Sequence, residues 1–190
     1  RVIKQSYDFG FDSIDALIDD LETGLKTFNT RLDYNLNLAY DGRSVVGDNP
    51  DDLQDRAYGD NDVRARHGRT HGTHVSGIIA AKGHNGIGIN GAANRVKIMA
   101  IRNTPSGDEY DKDVALGVYY AVDNGAKVIN MSFGKQFSPH GNWVRDAIAY
   151  AAKNDVLIVA AAGNDAQNTD EINYFPNDQI DNGEEVSNTF

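Results

Sequence analysis

From residue 71 onward the chain alternates short apolar runs with amphipathic stretches of about a dozen residues, and this alternation restricts the fold more than any other feature. Residues 71–81 read as a helix, followed by a Gly-rich turn and an apolar strand at 96–101. A polar turn at 104–111 leads into a helix through Val114, Val118, Tyr119 and Val122, with Gly125 placed just past its end. A strand at 127–131, a helix at 143–152 and a strand at 156–161 complete the series. Short apolar strands separated by helices predict an α/β domain: a parallel sheet covered by helices on both faces and joined by right-handed crossovers.

The first 70 residues follow other rules. Phe11, Ile14, Ile18, Leu21, Leu25 and Phe28 recur at intervals of three and four with Leu17 beside them, while Asp15, Asp19, Asp20, Glu22 and Lys26 take the other side. That pattern predicts an amphipathic helix, with Asp12 or Ser13 to cap it and Gly24 as a possible break. The spacing lasts under three heptads, which favours docking on the helix's own domain over a coiled coil. Residues 40–70, rich in Asp, Gly, Asn and Arg and containing Pro50, read as a long surface loop.

Charge narrows the function classes. With 28 acidic against 18 basic residues the net charge is −10, which argues against nucleic-acid binding through counterion release and against electrostatic membrane docking. No apolar run is long enough to span a bilayer. The excess is local: Lys153 is the last base, and residues 154–190 carry eight acids, so residues 1–153 hold 18 bases against 20 acids, a balance of −2. The absence of cysteine excludes disulfides, iron–sulfur clusters and thiolate zinc sites while leaving the compartment open. A start at Arg1 without methionine is expected of a processed or excised piece.

Open α/β sheets bind ligands at the carboxyl ends of their strands. Here the strand at 156–161 runs into Ala162-Gly163-Asn164, and the strand at 127–131 runs into Ser132-Phe133-Gly134. Both endings combine small residues with a polar side chain. A third feature, His71-Gly72-Thr73-His74, opens a helix, where an imidazole beside small residues is well placed as a general base. Its histidines are three apart with no intervening glutamate, so the zinc-protease pattern does not apply. The run from Gly86 to Gly91 spells GxGxxG but follows a helix and precedes a strand, the reverse of the dinucleotide fingerprint, which disfavours a nucleotide-binding domain.

In this order, HGTHVSGIIAA at 71–81, VINMSFG at 128–134 and VAAAGN at 159–164 resemble the subtilisin-like serine proteases, the subtilases. The similarity runs from about Asp48 to Asp165, with residues 1–47 as an expected insertion and 166–190 as an acidic loop segment. The resemblance implies a three-layer subtilisin-like α/β fold, incomplete at both ends, and a serine-type endopeptidase acting on polypeptides. It implies that His71 is the general base and Asn164 the oxyanion donor. It further implies that Ser132, Phe133 and Gly134 pair with an extended substrate and border the primary specificity pocket, while the small residues Ala162 and Gly163 leave room for that substrate. The chemistry agrees. Peptide hydrolysis needs a base and a preorganised donor, and removing such a donor costs about 3–4 kcal/mol.

Two family motifs are missing, the Asp-Thr-Gly or Asp-Ser-Gly strand before the histidine and the Gly-Thr-Ser-x-Ala helix start after the asparagine. Asp41 and Asp12 lack the right context for the first. None of the eight serines (Ser6, Ser13, Ser44, Ser76, Ser106, Ser132, Ser138, Ser187) fits the second. The expectation is a central fragment, inactive alone, with the aspartate upstream of Arg1 and the nucleophile beyond Phe190. The alternative is an inactive, subtilase-like peptide-binding module. Such a fragment is expected to complete its core by forming a homo-oligomer, by exchanging elements or by associating with the rest of the domain. The resemblance also implies a secreted, periplasmic or cell-surface setting. No cofactor is required, and a structural calcium on Asn85, Ile87 and Ile89 is the one metal expectation. Asp108, Glu109 and Asp165, near the cleft by the resemblance, suggest a preference for basic residues near the cut.

Overall fold

The computed structural model describes residues 10–64, 70–104, 109–169, 171–180 and 183–190. These fall into two compact units, divided between Gly42 and Arg43.

In the first unit, helix α1 spans Ile14–Thr30, and of the two candidate caps Ser13 serves: its Oγ accepts from Ala16 N at 3.1 Å. Gly24 does not interrupt it. The helix continues into a π-helical turn, Arg31–Asn35, closed by Leu36 N donating to Arg31 O at 2.8 Å. Tyr34 and Tyr40 then meet edge to face at 4.8 Å. No residue of α1 is buried, and Leu21, Leu25 and Phe28 stand exposed along the predicted stripe. The periodicity therefore produces the helix, with no residue of its apolar stripe buried.

The second unit holds α2 (Arg43–Val46), α3 (His71–Ala80), α4 (Asp111–Asp123), β1 (Val128–Met131), α5 (Gly141–Lys153) and β2 (Leu157–Ala160). β1 and β2 pair in parallel with Val128 opposite Leu157 and Met131 opposite Ala160, and α5 is the crossover between them. The core lies on one sheet face. Met131 and Ile158 pack there with Val114, Ala115 and Val118 of α4 and Val144, Ala147, Ile148 and Ala151 of α5, each set at helical spacing. Alanines at 115, 147 and 151 are fully buried and let the helix backbones approach. Tyr119 and Tyr150 meet at 5.2 Å at the rim, where Tyr150 Oη donates to Asp123 Oδ1 at 2.7 Å.

The parallel strand pair with its crossover helix is that of an incomplete α/β domain, with α4 and α5 on one sheet face and, on the other, Val128, Leu157 and Val159 exposed by 59, 44 and 47%. One expectation needs correction: residues 96–101 form no strand. Val96, Ile98, Met99 and Ile101 are exposed, and no neighbouring strand among the described residues supplies the ladder that would make the segment one. The outer edge of β2 is partly occupied, since Ile158 N donates to Thr189 O at 2.9 Å.

The loop at 40–70 is not wholly a surface feature. Three consecutive residues at the start of α4 fasten separate segments. Asp111 accepts from Ser138 Oγ at 2.7 Å and His140 N at 2.8 Å, and pairs with Lys135 at 2.9 Å. Lys112 Nζ reaches Asp48 Oδ2 and Asn49 O, both at 2.7 Å, with the Lys112 and Asp48 side chains 0% exposed. Asp113 accepts from Arg43 at 2.6 Å and from Tyr58 Oη at 2.6 Å. Arg43 is itself buried, stacked over Tyr110 at 4.5 Å and bonded to Asp48.

Candidate active site

The register of β1 and β2 decides where the predicted residues go. Because Met131 faces Ala160 and Ala161 N donates to Met131 O at 3.1 Å, residues 132–134 and 161–164 leave the sheet side by side at its carboxyl end. Ser132 Oγ accepts from Asn130 Nδ2 at 2.9 Å, which holds the first loop against the strand that feeds it. Ala162, Gly163 and Asn164 are exposed, with Gly163 at φ +86°, a conformation that suits glycine and turns the chain away from β2. Ser132, Phe133 and Gly134 are half-buried.

Past Gly134, Lys135 forms an antiparallel bridge with Phe175, donating and accepting at 2.9 and 2.8 Å. This brings in a residue that the motifs do not identify. The ring of Tyr174 lies against Gly134 and also against Gly163, so one side chain contacts both strand endings. The available sequence signal was weak: Tyr174-Phe175 is an aromatic pair in an otherwise acidic tail. A small cavity is lined by Val114, Phe133, Val144 and Phe175 together with the polar Glu109, Asp111, Lys135 and Ser138.

Charge around this crevice is tied down. Lys135 Nζ donates to Glu109 O at 2.6 Å and pairs with Asp111, which anchors the loop after β1 to the start of α4. Of the three acids expected near the cleft, Asp108 lies outside the described residues, Glu109 is buried and Asp165 is exposed. Burial pushes the Tyr174 hydroxyl above its ordinary value, and the Glu109 and Asp165 carboxylates push it the same way. Farther back, burial acts to raise Asp48, but its hydrogen bonds and ion pairs with Arg43 and Lys112 win, holding its carboxyl below the ordinary 3.8.

His71 is the first residue of α3 and is exposed. Thr70 precedes it, and His74 N donates to Thr70 O at 2.8 Å. The other end of α3 is joined to residues 91–93 through Ala92 N to Ile78 O at 2.9 Å and Ala93 N to Ile79 O at 2.8 Å. Among the described residues no hydrogen bond or ion pair joins His71 to Asn164, to Ser132 or to a carboxylate. The structure thus groups the two strand endings and leaves the histidine on its own element.

The calcium expectation rests on the loop at 85–89. Asn85 Oδ1 accepts from Ile87 N at 3.0 Å, closing a local turn, and Ile87 and Ile89 are exposed. Calcium takes six to eight oxygens. Asn85, Ile87 and Ile89 would hold the ion through one side-chain amide and backbone carbonyls, with no cluster of three or more His, Cys, Asp or Glu among the described residues to add to them.

Comparison with known proteins supports the sequence motifs. The subtilase family model matches residues 15–182. The chain is 42% identical over 106 residues to thermitase of Thermoactinomyces vulgaris, covering 55% of this chain and 37% of that protein. It is 40% identical over 111 residues to a thermophilic serine proteinase of Bacillus sp. (strain AK1), covering 58% and 27%. It is 37% identical over 156 residues to the cell wall-associated protease of Bacillus subtilis (strain 168), covering 81% and 15%. The chain therefore spans well under half the length of these relatives. No solved structure matches it. No helix among the described residues is long and apolar enough to cross a membrane. A family match over most of the chain, with its motifs at the paired ends of a parallel sheet, shows that this chain belongs to the subtilase family.

Proposed function

We propose that the chain is the substrate-binding and general-base portion of a serine endopeptidase domain. The observation that supports this best is the side-by-side exit of residues 132–134 and 161–164 from one parallel strand pair. In this reading an extended peptide pairs along Ser132, Phe133 and Gly134 as an added strand, with Ala162 and Gly163 forming the opposite wall. His71 takes the proton from the attacking serine hydroxyl and returns it to the leaving amine. Asn164 donates its side-chain amide to the oxyanion. The serine and the aspartate that orients the histidine are read as lying outside these 190 residues, so the chain alone is inactive. A fluorophosphonate that labels reactive serines tests the assignment. The full-length protein should label, while its His71→Ala variant and the 190-residue chain should not. Undiminished labelling of His71→Ala would refute the role of His71.

A second reading, a peptide-binding module without a nucleophile, is favoured by the absence of the Gly-Thr-Ser pattern from these residues. It becomes the better one if the full-length protein takes no label. The open sheet face bearing Val128, Leu157 and Val159 supports association with another copy or with the rest of the protein, which sedimentation of the purified chain would detect. A secreted or cell-surface setting is supported by the cell wall-associated relative; another relative is named an intracellular protease, so cell fractionation decides.

A further inference from the structure

The crevice between the two strand endings is occupied by a side chain of the protein itself. A Cβ at Gly134 would collide with Cε1 of Tyr174, and one at Gly163 would stand 3.2 Å from its Cζ and hydroxyl. The ring is fixed by its own segment. Lys135 and Phe175 exchange two backbone hydrogen bonds, Asn177 Nδ2 donates to Tyr174 O at 3.3 Å, and the Phe175 ring turns toward Gly141 at the start of α5. Held by backbone on one side and glycines on the other, the ring has little freedom to move aside. With its hydroxyl kept neutral, it presents an apolar body and a polar tip to the crevice.

We propose that Tyr174 is a specificity-determining residue, its ring forming the floor of the pocket between Gly134 and Gly163 so that only a small substrate side chain, such as that of alanine or serine, is accepted there. This rests on the reading of the strand endings as a peptide groove. A large side chain, whether apolar or basic, meets the ring, and pockets discriminate sharply on volume: a single methylene is worth about 10–200-fold. Any preference for lysine or arginine is then confined to positions flanking the pocket.

The test is a binding titration, followed by NMR, of the full-length protein with blocked tetrapeptide amides differing only in whether the last residue is Ala, Phe or Lys. The wild type should bind the Ala peptide at least about tenfold more tightly than the Phe or Lys peptide. Tyr174→Gly should reverse the Ala–Phe order, and Tyr174→Phe, which keeps the ring, should preserve it. Equal binding of all three peptides by the wild type, or an unchanged order in Tyr174→Gly, overturns the proposal. Should circular dichroism show that Tyr174→Gly has lost its fold, Tyr174→Val takes its place with a smaller gain for Phe, and no gain overturns it equally. Failure of every peptide to bind any of these proteins instead overturns the groove reading, and the proposal with it.

Discussion

Helix α1 and the pair α4–α5 show what an amphipathic pattern does and does not secure. α1 carries a regular stripe, a capping serine and acids on its opposite side, yet not one of its residues is buried. α4 and α5 bury Val114, Ala115, Val118, Val144, Ala147, Ile148 and Ala151 against Met131 and Ile158. Both patterns yield helices. The second packs its stripe against a helix and a sheet of its own unit, and most of the stability of a protein helix comes from such a surface rather than from propensity.

The contrast is best tested with Trp143, the single tryptophan, which stacks on His140 at 4.1 Å beside the core and so reports unfolding of the second unit. The largest effect is expected for Lys112→Ala, which leaves the buried Asp48 carboxylate with Arg43 as its remaining cation and strips Asn49 O of its donor, and should cost about 3–5 kcal/mol in urea unfolding. Ile148→Ala should cost about 2–5 kcal/mol by opening a cavity between α5 and the sheet. If Leu25→Ala on α1 cost as much, the contrast would fail; about 0.5 kcal/mol or less is expected.

Acid should weaken the second unit through Asp48. The Asp48 carboxyl is held below its ordinary 3.8 in the folded state, so its contribution is complete above that value and is lost as pH falls through the lower folded value. Unfolding followed at Trp143 should show this loss, and Asp48→Asn should remove that part of the pH dependence while lowering stability at neutral pH. The smallest effect expected is from calcium: the Asn85 side-chain oxygen already accepts from Ile87 N, so addition of the ion should shift the thermal midpoint little. A rise in midpoint abolished by Asn85→Ala would reverse that conclusion.

The sequence shows the helices at 111–123 and 141–153 and the strands beside them because each has a partner within reach along the chain, so that local periodicity and final packing coincide. It misreads residues 96–101 because an extended apolar run becomes a strand only beside another, and a window of the sequence contains no information about the neighbour. Nothing in the sequence marks Lys112 as buried, since lysine is almost never fully buried unless paired, and its partner lies 64 residues away. The strand endings were legible from their motifs. Tyr174 was not, because its importance lies entirely in a contact with glycines 40 and 11 positions earlier.

The triplet Asp111-Lys112-Asp113 has a consequence for how the molecule breathes. Successive side chains on a helix point about 100° apart, so three neighbours can hold the 43–58 loop and the 135–140 segment together only at one rotational setting of the helix start. Deleting or inserting one residue there would turn the fan and release both at once, whereas a length change in either held segment would release only that segment. Amide exchange around Asp48, Tyr58 and Ser138 should therefore rise and fall in concert, as one cooperative opening governed by a single turn of α4.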